Sequence, residues 1–453
     1  MTGRQMKLGA FLYLPGHHVA SWRYPSTGAN RTLDLDYLTE LAQTAERAKF
    51  DMVFFADGFG GQLSANKATS AVKLDPVIIL SALAAVTKNI GLVATLTTTY
   101  NEPFHVARKF SAIDHLSKGR AAWNVVTSSN ASESFLFGKE KHLEHARRYE
   151  RAEEFVDVVK KLWFSIEDEA LVIDKEKGQF LDLEKVHPVD HEGNWFKVQG
   201  TLDSPSTPQG HPVIVQAGSS EAGKELAAKT AEVIFTAWQT LEDAQTFYRD
   251  VKRRLAKYGR QPDDLKIMPG VFITVAKTEE EAIAKQKDLN SYILPEVGLA
   301  YLSNFIGVDL TGYDVNAPLP KLGEIEDKTN PQIRSNIIRD IAERENLQTL
   351  REVYERIAGA RGHREIVGTP EQIGDYLEEW FLNEGADGFN IMPPTFPEGL
   401  NDIVNLVIPE LQRRGLFRTE YDSDTLRGNL GLSVPVNPYK KQNQSVGSVK
   451  KGD

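Results

Sequence analysis

The sequence predicts a parallel α/β fold, a (β/α)8 barrel, and three observations carry that prediction. Eight apolar, strand-like runs alternate with amphipathic helical patterns along the chain. Polar side chains collect where those runs finish, the edge at which parallel α/β folds place their chemistry. The length, 453 residues, suits one large barrel with insertions, since such barrels run from about 200 to beyond 400 residues. An open doubly wound sheet is compatible with the same alternation, but eight strands favour closure.

The elements follow in order. Lys7–Leu12 is the first apolar run, followed by an amphipathic stretch over Leu35–Lys49. Phe50–Ala56 and Pro76–Thr87 form the second pair. The third is the most legible. Ile90–Leu96 runs into three threonines, Pro103 sits where a first helical turn begins, and Val106, Phe110, Ile113 and Leu116 repeat at helical spacing before Gly119 ends the helix. Ala121–Val126 then precedes the helical pattern of Arg147–Trp163. The second half gives Val213–Ala217 with Glu221–Lys229, Val233–Ala237 with Glu242–Tyr258, and Met268–Val275 with Glu279–Ser291. Pro370–Asn383 precedes the eighth run, Gly388–Met392, and Asp402–Arg414 closes the barrel. One barrel domain over residues 1–432 is expected. It has insertions at about 165–210 and 292–368, the latter with helical patterns at Pro331–Arg344 and Leu347–Ala358, and a polar tail over 433–453. Long ordered insertions serve as lids or binding loops, or as surface embellishment; both readings stand.

Composition narrows the function classes. At 41% hydrophobic and 26% charged the chain is ordinary globular protein. A net charge of −10, with no basic cluster before the last residues, argues against nucleic-acid binding. The absence of cysteine excludes disulfides, thiolate zinc sites and cysteine nucleophiles. No apolar stretch reaches 18 residues, so no membrane span is expected. The short apolar run Leu8–Leu14 lacks an A-x-A-like cleavage site, and a first barrel strand explains it better than a signal peptide. A cytoplasmic enzyme is the expectation.

HPVIVQAGSSEAGKELAAK carries the clearest site. A strand ends at Ala217, Gly218 permits a tight turn, and Ser219 and Ser220 open a helix, where free amides and the helix dipole favour an anion. The alternative is that the serines only cap the helix. Gly218 to Lys224 also matches the G-x-x-x-x-G-K of nucleotide phosphate loops, which keeps a P-loop-like nucleotide-binding protein as an alternative. Glu225, however, stands where a Mg²⁺-holding Ser or Thr is needed. A monophosphate bound without metal fits better.

Other candidates gather at the same edge. Asp57 follows the second strand and suits a polar cofactor edge, or a helix cap, or a pair with a nearby arginine. Thr95 and Thr97 share strand parity, although threonine is also a common strand former. Asn124 shares parity with Ala122 and Val126, and a buried asparagine needs partners, for which ligand atoms qualify. His145 and Tyr149, at i and i+4, share a helix face. His17 and His18 lie in the first mouth loop. Adjacent histidines point apart, so at most one faces a ligand, as an acid/base or hydrogen-bond donor; a solvated loop histidine is the plainer reading. Trp238 either covers an aromatic ligand or packs. His142, Glu144 and His145 lack H-E-x-x-H spacing, and Pro188 separates His187 from His191, so no metal site is expected.

With these residues in view, the chain resembles the flavin-dependent monooxygenases of the bacterial luciferase-like superfamily. The matching branch contains nitrilotriacetate, EDTA, dibenzothiophene-sulfone and long-chain alkane monooxygenases. FDMVFFADG, TLTTTYNEPFHVARKFSAIDHLSKGRAAWNVVTS, HLEHARRYERAEEF, PVIVQAGSSEAG and ADGFNIMPP carry the resemblance, in order, over residues 6 to 418. It implies a barrel using FMN as FMNH2, with O2 as co-substrate and a separate NAD(P)H-dependent flavin reductase as partner. It also implies that Ser219, Ser220 and Tyr149 hold the phosphate, that Thr95, Asn124 and His145 contact the flavin, and that Asp57 lies near the ring's polar edge. His17 or His18, from their place in the first mouth loop, is the expected catalytic group. Relatives of this kind cleave C–S or C–N bonds of small molecules such as S-modified cysteines, sulfones or aminopolycarboxylates; an acidic substrate needs a positive partner such as Arg23. Substrate choice is assigned to the Leu14–Arg23 loop and the 292–368 insertion. A homodimer or homotetramer is implied, with Pro76–Thr87 and Phe104–Leu116 as interface helices. A barrel that binds flavin or deazaflavin F420 without oxygenating is the alternative.

Overall fold

Strands buried on both faces must be apolar at nearly every position, and that is why the eight runs stood out. The computed structural model describes residues 3–59, 72–320 and 338–440. Its barrel strands are β1 (Lys7–Phe11), β2 (Met52–Phe55), β3 (Gly91–Thr97), β4 (Ala121–Val126), β5 (Val213–Ala217), β6 (Val233–Thr236), β7 (Lys266–Val275) and β8 (Gly388–Met392). All pair in parallel, in chain order, and β8 returns to β1 to close the ring. Side chains of one parity, among them Phe11, Phe54, Val93, Ala122, Val215 and Met268, fill the interior. Those of the other parity pack under the surrounding helices.

The helices begin where the sequence supplies caps. Asp34 caps α1 (Leu35–Arg47), and Asp75 caps α2 (Pro76–Val86), with Pro76 in the first turn. α3 (Pro103–Leu116) follows, and α4 spans His145–Trp163, two residues longer at its start than the pattern suggested. Ser220, Thr240 and Thr278 cap α5 (Glu221–Thr230), α6 (Leu241–Leu255) and α7 (Glu279–Ser291). After α8 (Pro295–Ile306) and α9 (Leu350–Ile357), α10 (Pro370–Leu382) starts with a capping box from Thr369. Among the described residues, no helix is long and apolar enough to cross a membrane.

The insertions are built. Residues 165–210 carry two hairpins, Leu171–Asp174 with Gln179–Leu181 and Val189–Glu192 with Lys197–Gly200. The 292–368 insertion packs its own apolar cluster against Ala20 of the first mouth loop. Its last segment, Arg364–Gly368, is a strand that periodicity did not reveal, and it adds to the outer half of β7. The start of the helical pattern at Pro331–Arg344 lies outside the described residues. Of the polar tail, residues 441–453 also lie outside them. Before that point the tail is pinned: Asn437 donates to the Phe164 carbonyl at 3.1 Å and Tyr439 stacks on His187.

Two buried ion pairs close the end of the barrel opposite the mouth. Asp51 meets Arg418 at 2.6 Å with both side chains essentially inaccessible, and its second oxygen accepts from the Leu8 amide at 2.7 Å. Arg427 pairs with Glu232 beside His211. Burial raises the Glu232 carboxyl, but Arg427 outweighs it and holds the pKa at about 2.

Candidate active site at the strand ends

Three phenylalanines floor the mouth. Phe11, Phe54 and Phe235, from β1, β2 and β6, meet with centroids 4.9–5.7 Å apart. Above this apolar floor the strand ends turn polar. Asn124 Nδ2 donates to Thr95 Oγ1 at 2.8 Å, and Thr95 passes its proton to the Phe55 carbonyl at 2.9 Å. That relay fixes the amide and leaves Asn124 Oδ1 buried without a partner. Asn390, of interior parity on β8, has an orphaned Oδ1 as well. Buried acceptors of this kind are rare unless something donates to them.

A second wall comes from α4. His142 Nε2 meets the Ser128 carbonyl at 3.1 Å and its Nδ1 meets the Tyr100 hydroxyl at 2.6 Å. A carbonyl only accepts, so Nε2 carries the proton. Ser128 stands in the left-handed region at φ 55° and donates to Thr97 Oγ1 at 2.9 Å. Arg148 donates to the Thr127 and Ser128 carbonyls, stitching the loop after β4 to the helix. His145 and Tyr149 lie on one face, with rings 4.9 Å apart. Thr97 had been noticed only for its parity; Tyr100, Ser128, Glu133 and Arg148 were not foreseen, because their roles rest on loop contacts with no sequence period.

Tyr149 points into the turn after β5. Gly218 adopts φ 147°, open to glycine alone. A Cβ on Gly218 would come within 3.4 Å of the Tyr149 hydroxyl, and one on Gly223 within 3.2 Å. The two glycines therefore keep a cradle open beneath that hydroxyl. Ser220 is the α5 cap, accepting from the Gly223 amide at 3.1 Å, so the capping reading is right as far as it goes. Its hydroxyl proton remains available to an anion. Ser219 is exposed at the same turn. The nucleotide-loop reading fails in detail: Lys224 is held by Asp250 at 2.8 Å, and Glu225 binds Arg254, Lys257 and Tyr258.

Asp57 takes the ion-pair option, with Lys73 at 2.6 Å in place of an arginine. Glu133 lies close by, buried with Oε2 unpartnered, and burial raises its pKa. Trp238 packs against Phe247 with centroids 5.1 Å apart, which favours the packing alternative.

The histidine pair resolves by hydrogen bonding, and neither ring is solvated. His18 Nδ1 accepts from the Ala20 amide at 3.2 Å, so its Nε2 carries the proton and donates to Asn290 Oδ1 at 2.9 Å. Both nitrogens are spent. His17 Nε2 donates to the Phe11 carbonyl at 2.9 Å, leaving Nδ1 as a buried lone pair with no partner. His17 can thus accept at Nδ1, the base half of the expected acid/base role, while its donor is spent on Phe11. Burial lowers its pKa well below 6.5, helped by the charge of Arg361; burial lowers His18 to about 4 and His211 to about 3.

These shifts predict an acid-labile fold. The unfolded chain takes up protons near pH 6.5, whereas the folded imidazoles stay neutral until about 4 and 3. Their contribution is complete above pH 6.5 and is lost as pH falls toward those values. The thermal midpoint is expected to be clearly lower at pH 5 than at pH 7; an unchanged midpoint across that interval contradicts the assignment.

Comparison with known proteins places this geometry. The family model described as luciferase-like monooxygenase matches residues 11–388. The chain is 52% identical to N-acetyl-S-(2-succino)cysteine monooxygenase of Bacillus subtilis (strain 168), covering 97% of this chain and 99% of that one. Nitrilotriacetate monooxygenase component A of Aminobacter aminovorans is 51% identical, with the same coverage, 97% and 99%. Among solved structures, riboflavin lyase (RcaE), crystallised with modified FMN and riboflavin, superposes with a TM-score of 0.84 at 31% identity, covering 97% of this chain and 99% of that one.

Proposed function

The chain belongs to the luciferase-like monooxygenase family, and from that membership we propose that it is a two-component, FMNH2- and O2-dependent monooxygenase. Its substrate is a small organosulfur or amine compound whose C–S or C–N bond breaks on oxygenation. The observation that carries the cofactor assignment is the Gly218–Gly223 cradle under the Tyr149 hydroxyl. It suits a monophosphate, and the orphaned Asn124 Oδ1 suits a ring N–H.

Reduced FMN supplies the electrons with which O2 is activated. The chain's own residues bind, orient and shield. Ser219, Ser220 and Tyr149 hold the phosphate at the α5 N-terminus. Asn124, fixed by Thr95, would hold the ring together with His145 and Asp57. His17 Nδ1 accepts a proton or hydrogen bond at the mouth, while the insertion packed on Ala20 excludes water. A separate NAD(P)H-dependent reductase delivers the flavin, a division of labour in keeping with the name component A of one relative. We place the enzyme in the cytoplasm as a homodimer or homotetramer. Ile78 on α2 and Leu116 on α3, 68% and 69% exposed, support those helices as the interface.

The deciding experiment supplies FMNH2 and air with thioethers, sulfones, aminopolycarboxylates and alkanes, and follows products by mass spectrometry. Cleaved or oxygenated product is expected from the sulfur or amine compounds. FMN binding without any product favours the non-oxygenating alternative. Filling the cradle with Gly223→Val is expected to raise the Kd for FMN by at least tenfold, read by fluorescence quenching. Lys224→Ala is expected to leave it within about twofold, since Asp250 already holds that amine; the reverse ranking sinks the phosphate assignment.

A further inference from the structure

Arg361, at the mouth, has no carboxylate against it among the described residues. Arg361 lies between α9 and the Arg364–Gly368 strand, in the left-handed region at φ 51°, a strained conformation for a side-chain-bearing residue. Its guanidinium sits 3.8 Å over the Tyr13 ring, and the phenols of Tyr13 and Tyr301 are its polar neighbours. Among the described residues it forms no ion pair with a carboxylate. Arg356, five residues earlier, shows the usual arrangement, paired with Glu345 at 2.6 Å and Glu365 at 2.9 Å. A largely desolvated guanidinium left unpaired is costly, and stacking on a ring offsets only part of that cost.

The position says what is missing. Tyr13 follows β1 and packs beside His17, with rings 5.5 Å apart. Two residues beyond Arg361, His363 stacks on Phe235 of the floor. Arg361 therefore overlooks the mouth on the side of the unpartnered His17 nitrogen. In an eight-strand ring β5 lies opposite β1, so the phosphate cradle is across the barrel from the Tyr13 ring on which this cation rests. Arg23, the sequence's choice for an acidic substrate, is engaged with the Tyr292 carbonyl.

We infer that Arg361 is the counter-charge for a carboxylate of the substrate, with Tyr13 and Tyr301 lining the same subsite. The planar guanidinium matches a carboxylate through two parallel N–H donors. The inference rests on the monooxygenase reading, and it selects an organic acid over a neutral sulfone, sulfide or alkane.

The test titrates the FMN-loaded protein with methylthiosuccinate and nitrilotriacetate, each beside its methyl ester, by calorimetry. At least one acid is expected to bind tenfold or more tightly than its ester. Arg361→Gln is expected to weaken that acid at least tenfold, leave the ester and the Kd for FMN within about twofold, and be partly rescued by Arg361→Lys. No binding of either acid, equal binding of acid and ester, or an unaffected Arg361→Gln overturns the inference. If Arg361→Gln does not fold, Tyr301→Phe together with the wild-type preference decides: a preference for the acid weakened by Tyr301→Phe supports the subsite, and an unchanged one overturns it. Arg361-dependent acid binding without oxygenated product would fail the monooxygenase reading alone. Oxygenation of acid and ester with equal KM would fail the carboxylate subsite alone.

Discussion

Replacing His17 by leucine is expected to lower substrate oxygenation about a hundredfold, the lower range for a positioned acid or base, and to divert consumed O2 to free hydrogen peroxide. His18→Asn is expected to leave that partition unchanged. The contrast rests on hydrogen bonds. Both His18 nitrogens are satisfied, by the Ala20 amide and by Asn290, whereas His17 keeps a lone pair at Nδ1 after donating from Nε2 to the Phe11 carbonyl. Burial keeps His17 neutral through the physiological range, so the lone pair is present at every working pH. The Kd for FMN stays within about threefold in His17→Leu, because the phosphate cradle lies on the other side of the ring of strands. Oxygen consumption, peroxide and product measured together give the partition. A His17→Leu enzyme that remains fully coupled removes His17 from the mechanism.

The second large effect is structural. Arg418→Met is expected to destabilise the protein by about 3–5 kcal/mol, because removing one member of a buried pair strands the other charge. Asp51 is then left in the barrel's base with the Leu8 amide and the more distant charge of Lys7, and Asn429 loses the guanidinium that bonds its side chain and carbonyl. Pairing the change with Asp51→Asn restores part of the loss, since the amide oxygen still accepts from Leu8 and no charge remains. Denaturant midpoints for the two single variants and the double variant check this. A double variant no better than Arg418→Met alone contradicts the stranded-charge account.

Much of the barrel was legible because each strand is apolar on both faces and each helix on one. Asn124 was legible for the same reason in reverse, since a buried asparagine needs partners, whereas Thr95 was ambiguous because threonine is also an ordinary strand former. Ser219 and Ser220 stood out because a glycine turn between strand and helix leaves free amides. The histidine pair was found but not divided, since which nitrogen is spent depends on Asn290, far away in sequence. Arg361 was not singled out. It lies just beyond the helical pattern of Leu347–Ala358, in a stretch without periodicity, and its meaning lies in having no acid beside it among the described residues, which only three-dimensional neighbours reveal. Asp57 was placed correctly after β2, but its Lys73 partner comes from a loop that no local pattern ties to it.

β7 has a further consequence. Its first four residues pair with β6, from Lys266 opposite Val233 to Pro269 opposite Thr236, and from Val271 onward the same edge pairs with Arg364–Gly368. Gly270 marks the fork, where a Cβ would strike His363 and Phe235 at 2.6 and 2.8 Å. The insertion is therefore riveted into the wall by a ladder of backbone bonds, like a door whose jamb is cast with the frame. Any movement of α8 and α9 relative to the barrel must pivot upstream of that ladder. Its amides should exchange as slowly as the barrel's own, while those of α8 and α9 exchange faster, so the end of the insertion is as fixed as the wall it joins.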